Sequence, residues 1–139
     1  TRVVNYQAQR QALDVSDALG ICGPITIIAN ACASGANAIG HAWELLRTGR
    51  ASRVLSGGYD AVCQLIFAGF DSLQALSPTP CRPFDAQRTG LSLGEGAGIL
   101  ALEALDHARR RDARICGDWS RPSSRCKARE ARRGPCTAR

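Results

Sequence analysis

Apolar residues recur at helical spacing in two stretches of the chain, and a β-branched run lies between them. The spacing predicts one helix within residues 5–19 and a second helix from Ala33 onward, with Gly20 and Gly49 beyond their C-terminal ends. The run at 25–29, Ile-Thr-Ile-Ile-Ala, is typical of a strand that is buried on both faces. The apolar positions of the two helices are Ala8, Ala12, Val15 and Leu19, then Ala36, Ile39, Trp43 and Leu46.

Helices and strands continue to alternate after the second helix. A strand is predicted at 53–56, stopped by the two glycines that follow it, and a helix is predicted within 61–75. Residues 91–103 are expected to be extended, and a short charged helix is expected at 103–111. Strands that alternate with helices imply an α/β fold with a largely parallel sheet.

The charge of the chain is divided between a mildly acidic body and a basic tail. Residues 1–108 hold seven Arg, no Lys and nine Asp or Glu, a net charge of −2. Residues 109–139 hold ten Arg, one Lys and three acidic residues, a net charge of +8. A basic tail can bind nucleic acid or an acidic partner. This tail lacks a nucleic-acid-binding motif and an aromatic stacking platform, so a solvated segment is favoured over nucleic-acid binding.

The overall composition is that of one globular domain. The 139 residues are 45% hydrophobic and 22% charged, which argues against a disordered or collagen-like chain. Seven cysteines, an odd number, include no C-x₂-C pair, so neither a structural zinc site nor a secreted disulfide framework is expected. The thiols are therefore expected to be mostly reduced, the protein to be cytoplasmic, and no metal to be bound.

A long uncharged stretch separates Asp17 from Glu44. Its 26 residues include glycines, a proline and several amides and hydroxyls, so it is too polar and too broken for a membrane-spanning helix. We therefore expect this stretch to form the buried centre of the domain.

The strongest chemical signal is a thiol at the junction between the predicted strand and the second helix. Cys32 lies in residues 30–35, Asn-Ala-Cys-Ala-Ser-Gly, which we call the elbow. Small neighbours permit a sharp turn that lifts one side chain into the open, as in the nucleophile elbow of hydrolases. Amide N–H groups at a helix start favour a thiolate and can hold an oxyanion beside it. The alternative is that Cys32 is a small buried residue of the core.

Several segments in order along the chain resemble β-ketoacyl-ACP synthases, the condensing enzymes of the thiolase-like superfamily. The resemblance covers about residues 5–115 and implies a partial thiolase-like layered fold, with the nucleophile in an N-terminal-type domain at 1–115. The chain is therefore expected to be a piece of a longer protein. Residues 116–139 are expected to be an Arg-rich tail that is disordered or translated out of frame. The matching segments are the elbow, 56–60 (SGGYD), 70–77 (FDSLQALS), 81–90 (CRPFDAQRTG) and 94–98 (GEGAG).

The resemblance implies an acyltransferase of fatty acid or polyketide biosynthesis. Cys32 would take an acyl group from acyl carrier protein (ACP) as a thioester. Malonyl-ACP would then lose CO₂, and its carbanion would attack the thioester and lengthen the chain by two carbons. A thiolate suits this reaction because it is both a strong nucleophile and a good leaving group.

The resemblance also implies roles for other residues and partners. Phe70 would line or gate the acyl pocket; the alternative is an ordinary core aromatic. Four charged residues would form a buried polar network that braces the elbow, since unpaired charges there would be costly. The substrates would be phosphopantetheine thioesters, with no bound cofactor, and the partners would be ACP and a second copy of the chain, with no nucleic acid and no membrane span. The network residues are Arg82, Asp85, Arg88 and Glu95.

The two catalytic histidines of the resembling enzymes lie in a C-terminal half that this chain does not match. His41 is nine residues from Cys32 along the predicted helix, about 13 Å at a rise of roughly 1.5 Å per residue, so it cannot touch the sulfur. His107 is expected to be solvated. The chain alone is therefore expected not to catalyse condensation. The alternative is a non-catalytic piece that binds acyl chains or ACP, or that dimerises; a chain-length-factor-like protein is expected to lack the nucleophile, so Cys32 argues against that version.

Overall fold

The computed structural model describes residues 7–118, which fall into two compact units with their boundary between Leu102 and Glu103. The expected domain at 1–115 and tail at 116–139 stay predictions, because residues 1–6 and 119–139 lie outside the described part of the chain. Among the described residues, no helix is both long enough and apolar enough to cross a membrane.

Two helices confirm the apolar spacing of the first 50 residues. Helix α1 (Ala8–Leu19) ends at Gly20, whose φ of 63° is the left-handed C-cap conformation that glycine adopts without strain. Helix α2 (Ser34–Arg47) follows a single 3₁₀ turn, Ala31–Ala33. Gly49, at φ 69°, lies just beyond its end. The predicted helix within 61–75 is also present as α3 (Gln64–Ser72).

The described sheet has two strands, β1 (Arg53–Asp60) and β2 (Gly96–Glu103). Strand β1 was expected to stop at the glycine pair, and this expectation is wrong because the strand continues through both glycines. Gly57 lies so close to β2 that a Cβ atom built on it would be 2.0 Å from the carbonyl oxygen of Gly98. Gly57 therefore permits the pairing of the two strands, and neither glycine ends β1. One parallel bridge, Leu76 to Leu91, lies outside these strands.

Residues 25–29 do not form the predicted buried strand. They have no regular secondary structure and make no ladder hydrogen bonds, and Ile25 and Ile27 are 38% and 42% exposed. A β-branched run becomes a strand only where another strand accepts its backbone hydrogen bonds. In residues 7–118, β1 and β2 pair with each other and not with this run. The elbow therefore follows a segment without regular secondary structure.

The interior of the described chain is small. Helix α2 packs on β1, where a Cβ atom built on Gly58 would lie 3.7 Å from the Cα atom of Gly35. Among the described side chains, Ala42 and Ala108 are the buried apolar ones. The expectation that the uncharged stretch forms a buried centre is therefore wrong, because most of its residues are exposed.

The second unit contains α4 (Leu105–Arg110), within the predicted charged helix. Glu103, whose side chain is 12% exposed, accepts hydrogen bonds from Arg111 and lies 2.7 Å from Nδ1 of His107. These two partners, Arg111 first, lower the pKa of Glu103 to about 2. The prediction of a solvated His107 is wrong, because its ring is half-buried and bonded to a carboxylate that stays ionised at ordinary pH.

Candidate active site

Cys32 stands exposed at a sharp turn immediately before α2. It is the central residue of the 3₁₀ turn, and its thiol is free. The turn is made by unusual backbone angles: φ −131° and ψ 51° at Asn30, then φ 56° at Ala31. A non-glycine residue rarely adopts a positive φ, because its Cβ atom crowds the backbone. The predicted sharp elbow of small residues is therefore present, with the sulfur accessible rather than buried.

Ser34 connects the two sides of this turn. Its hydroxyl donates a hydrogen bond to the carbonyl oxygen of Ala31 at 2.6 Å and accepts one from the amide N–H of Asn30 at 2.9 Å. The amide of Ser34 donates to the same Ala31 oxygen. Sequence reasoning noted Ser34 only for its small size. A hydroxyl residue at the start of a predicted helix was the available signal, since serine commonly bonds backbone groups there.

The C-terminal end of β1 reaches the elbow side of α2 through the Gly35–Gly58 approach. Just beyond this strand, the amide N–H of Val62 donates a 2.8 Å hydrogen bond to a carboxylate oxygen of Glu95. Glu95 directly precedes β2, so this bond ties the segment after one strand to the segment before the other. Glu95 was predicted to share a network with Arg82, Asp85 and Arg88, and in the described structure it bonds elsewhere.

The remaining three charged residues form a local cluster instead of a buried brace. The ion pair of Arg82 with Asp85 spans 3.5 Å, with side chains 42% and 37% exposed. Arg88 donates to the carbonyl oxygen of Asp85 at 3.0 Å, and the amide of Gln87 donates to its carboxylate at 2.7 Å. Every hydrogen bond of this cluster stays within residues 82–88, so the prediction of a buried network bracing the elbow is wrong for this chain. Such exposed pairs contribute little to stability.

Phe70 lies on α3 and is half-buried, consistent with either of its two predicted roles. An open depression of about 510 Å³ lies in the first unit, and neither Phe70 nor Cys32 lines it. The lining residues are Ala75, Ala86, Arg88, Gly90 and Leu91. This depression therefore does not join the accessible thiol to the half-buried aromatic ring.

The two histidines lie on different elements from the turn that carries the thiol. His41 is an exposed residue of α2, and His107 belongs to the second unit. Five cysteines of residues 7–118 are free, and these residues contain no group of three or more His, Cys, Asp or Glu that could hold a metal ion. The described part of the site is thus one thiol, one helix start and the backbone around them.

Comparison with known proteins supplies the family. The family profile of the β-ketoacyl synthase N-terminal domain matches residues 3–108. Nodulation protein E of Rhizobium meliloti is 41% identical over 108 residues, which cover 77% of this chain and 27% of that protein. The 3-oxoacyl-[acyl-carrier-protein] synthase 2 of Staphylococcus aureus is 42% identical over 107 residues, covering 73% of this chain and 27% of the relative. The chain spans about a quarter of the length of the curated relatives it matches.

A solved structure extends the likeness to the fold. It contains a type II polyketide synthase acyl carrier protein in complex with its ketosynthase bound to the hexaketide, and it matches with a TM-score of 0.72 at 35% identity. The match covers 79% of this chain and 29% of that chain. It confirms the predicted α/β, thiolase-like fold in partial form. The profile, the relatives and the fold agree, and the chain belongs to the β-ketoacyl synthase family.

Proposed function

We propose that this chain is the acyl-accepting part of a 3-oxoacyl-ACP synthase and that Cys32 is its nucleophile. The observation that supports this most directly is a free, exposed thiol in a strained turn at the start of α2. The small neighbours of the turn leave room for a bulky thioester, and the amide N–H groups at the start of the helix can donate to an oxyanion beside the sulfur. An ordinary core cysteine has neither of these features.

The proposed chemistry has two steps. The Cys32 thiolate attacks the carbonyl carbon of an acyl-ACP thioester, and the resulting oxyanion collapses with release of the phosphopantetheine thiolate. Malonyl-ACP then loses CO₂, and its carbanion attacks the Cys32 thioester, so that a carbon–carbon bond forms and the Cys32 thiolate leaves. In this proposal the backbone N–H of Cys32 is one donor to the oxyanion of each step.

Phe70 is proposed to contact the acyl chain. Its ring is half-buried on α3, so part of its surface is free to line a pocket while the rest holds it in place. The solved structure of similar fold is described as a ketosynthase in complex with its acyl carrier protein and bound to the hexaketide, which supports a contact with an acyl chain in this chain as well. Fatty acid and polyketide substrates are both consistent with this proposal.

The proposed partners are ACP, as the donor of both substrates, and a second copy of this chain. The similar ketosynthase is described in complex with its acyl carrier protein. The case for a homodimer is segment 25–29, in which Ile25 and Ile27 are exposed and whose backbone is not paired with either described strand. Exposed apolar side chains beside unpaired backbone favour association with another chain.

Light scattering is expected to give a mass of two chains at high protein concentration. Ile27→Lys, in segment 25–29, should shift the protein to monomers because a charge there opposes pairing with another chain. Val15→Lys on α1, at a residue that is also exposed, is the matched control and should leave the mass unchanged. A monomer at all concentrations, or equal effects of the two variants, would contradict the proposed dimer interface.

Mass spectrometry of the chain after incubation with acyl-ACP tests the nucleophile. We expect one acyl group on the peptide that contains Cys32, and none in Cys32→Ala. Cys63 is the matched control, because it is also an exposed thiol at the start of a helix, α3. Cys63→Ala should therefore be acylated as the parent chain is. Iodoacetamide should also label Cys32 in preference to Cys63 and Cys22, because the sharp turn of small residues leaves its sulfur open to attack.

Acylation of Cys63 or Cys22 instead of Cys32 would refute the assignment. An unmodified chain that still binds ACP or dimerises would favour the second candidate, a non-catalytic piece for docking or assembly. The exposed isoleucines of segment 25–29 are the observation that keeps this candidate open.

A further inference from the structure

The hydroxyl of Ser34 bonds both ends of the most strained part of the elbow. It accepts from the Asn30 amide and donates to the Ala31 carbonyl, and these groups lie on either side of the Ala31 Cα atom. The φ of 56° at Ala31 is a conformation that alanine rarely adopts. A strained backbone persists only where surrounding contacts hold it, and here one side chain provides two such contacts.

The conformation of Ala31 determines the placement of Cys32. Cys32 is the next residue, so a rotation about the Ala31 backbone bonds would move both the sulfur and the Cys32 amide N–H. Both groups are needed in the proposed acyl transfer: the sulfur attacks the carbonyl carbon, and the amide N–H meets the oxyanion. A donor that is aligned before the reaction stabilises developing charge better than one that must be reoriented.

We propose that Ser34 is a positioning residue for acyl transfer, whose hydroxyl holds the turn so that the Cys32 amide N–H faces the oxyanion. The inference rests on the proposed function of Cys32 and adds to it a residue that does not touch the substrate. It also gives a reason for a hydroxyl at this point of the elbow, where alanine would satisfy the need for small size.

Two reactions of the Cys32 sulfur distinguish alignment of the oxyanion donor by Ser34 from a general stabilisation of the fold by Ser34. Acyl transfer forms a carbon–sulfur bond through a tetrahedral oxyanion, which collapses and expels the donor thiolate. Alkylation by iodoacetamide displaces iodide in one step and forms no oxyanion. If Ser34 aligns the oxyanion donor, its loss slows the first reaction far more than the second.

The experiment compares three variants of the 139-residue chain. Ser34→Ala removes the hydroxyl, Ser34→Thr retains one, and Ser72→Ala is the matched control, because the Ser72 hydroxyl donates to the Gly69 carbonyl at 2.8 Å with the same three-residue spacing. Each variant is assayed for acyl transfer from acyl-ACP over a range of donor concentrations and for iodoacetamide alkylation at Cys32. Hydrogen–deuterium exchange of residues 30–35 reports directly on the turn.

We expect Ser34→Ala to lower the maximal rate of acyl transfer about ten-fold with little change in KM, and to change alkylation by less than about two-fold. Exchange within 30–35 should accelerate about ten-fold. Ser34→Thr should restore most of the acyl-transfer rate, and Ser72→Ala should behave as the parent chain.

Equal losses in both reactions, an equal effect of Ser72→Ala, or unchanged exchange in Ser34→Ala would overturn the proposal. If the parent chain itself is not acylated, the proposed function fails, and exchange then decides Ser34 separately. Faster exchange confined to residues 30–35 in Ser34→Ala would support the claim that the Ser34 hydroxyl stabilises the turn, and unchanged exchange would refute that claim.

Discussion

The 139-residue chain, supplied with acyl-ACP and labelled malonyl-ACP, is expected to form β-ketoacyl-ACP at least about 10³-fold more slowly than a full-length synthase of the family. In the proposed function, Cys32 is the nucleophile and its backbone N–H is one oxyanion donor. Decarboxylation of malonyl-ACP builds an enolate whose negative charge needs a further stabilising group. Groups that act as a catalytic unit lose most of their effect when one is missing.

The histidines of the described chain do not meet this need. His41 lies nine residues after Cys32, about 13 Å along a helix that rises roughly 1.5 Å per residue. His107 belongs to the second unit, where its ring is bonded to Glu103. Neither imidazole is therefore assigned to the enolate.

The assay separates the two steps of the proposed reaction. Acyl transfer to Cys32 is measured by mass spectrometry and condensation by the appearance of labelled β-ketoacyl-ACP. The Staphylococcus aureus synthase is the positive control, and Cys32→Ala of this chain is the negative control. Acylation without condensation is the expected result. Condensation at a rate near that of the full-length enzyme would show that the assigned roles are wrong.

The candidate nucleophile could be predicted from the sequence because its signal is local. A run of small residues around Cys32 at the start of a periodic helix is enough to place an exposed thiol on a sharp turn, and the structure has that turn. The helices α1 and α2 were predictable for the same reason, since apolar spacing and a glycine cap are encoded within about twenty residues.

Features that depend on contacts between distant segments were predicted poorly. The run at 25–29 has the composition of a buried strand, yet a strand also needs a partner, and neither described strand pairs with it. Arg82 and Asp85 are close in sequence, and they form an ion pair. The cluster would be buried only if another segment packed against it, and the sequence does not encode such a contact locally. The hydrogen bond from Val62 to Glu95 joins residues 33 positions apart, which no local pattern encodes.

The glycine pair of β1 has a different role from the one that its sequence predicts. Two adjacent glycines usually mark a turn, and 57–58 were expected to end a strand. Glycine also occurs within strands where another backbone comes unusually close. The structure has the second arrangement, with Gly57 against β2 and Gly58 facing α2.

Gly57→Ala is expected to destabilise the chain by about 3 kcal/mol, because a methyl group cannot be accommodated between the strands. Its Cβ atom would lie 2.0 Å from the carbonyl oxygen of Gly98 and 2.9 Å from the Cα atom of Ile99. Both are backbone atoms, so no side chain can rotate away, and β1 must separate from β2. Because α2 packs on β1, separation of the strands should also loosen the elbow at the start of α2.

Two neighbouring glycines provide controls for this prediction. A Cβ atom on Gly58 would make an ordinary 3.7 Å contact with Gly35, and one on Gly98, across the same strand pair, would have no atom within 4 Å. Gly58→Ala and Gly98→Ala should therefore change the stability by less than about 1 kcal/mol. Urea unfolding followed by circular dichroism measures all three variants, with a lower midpoint expected for Gly57→Ala alone. Equal stability of Gly57→Ala and Gly98→Ala would show that the two strands do not approach one another at this glycine as the structure describes.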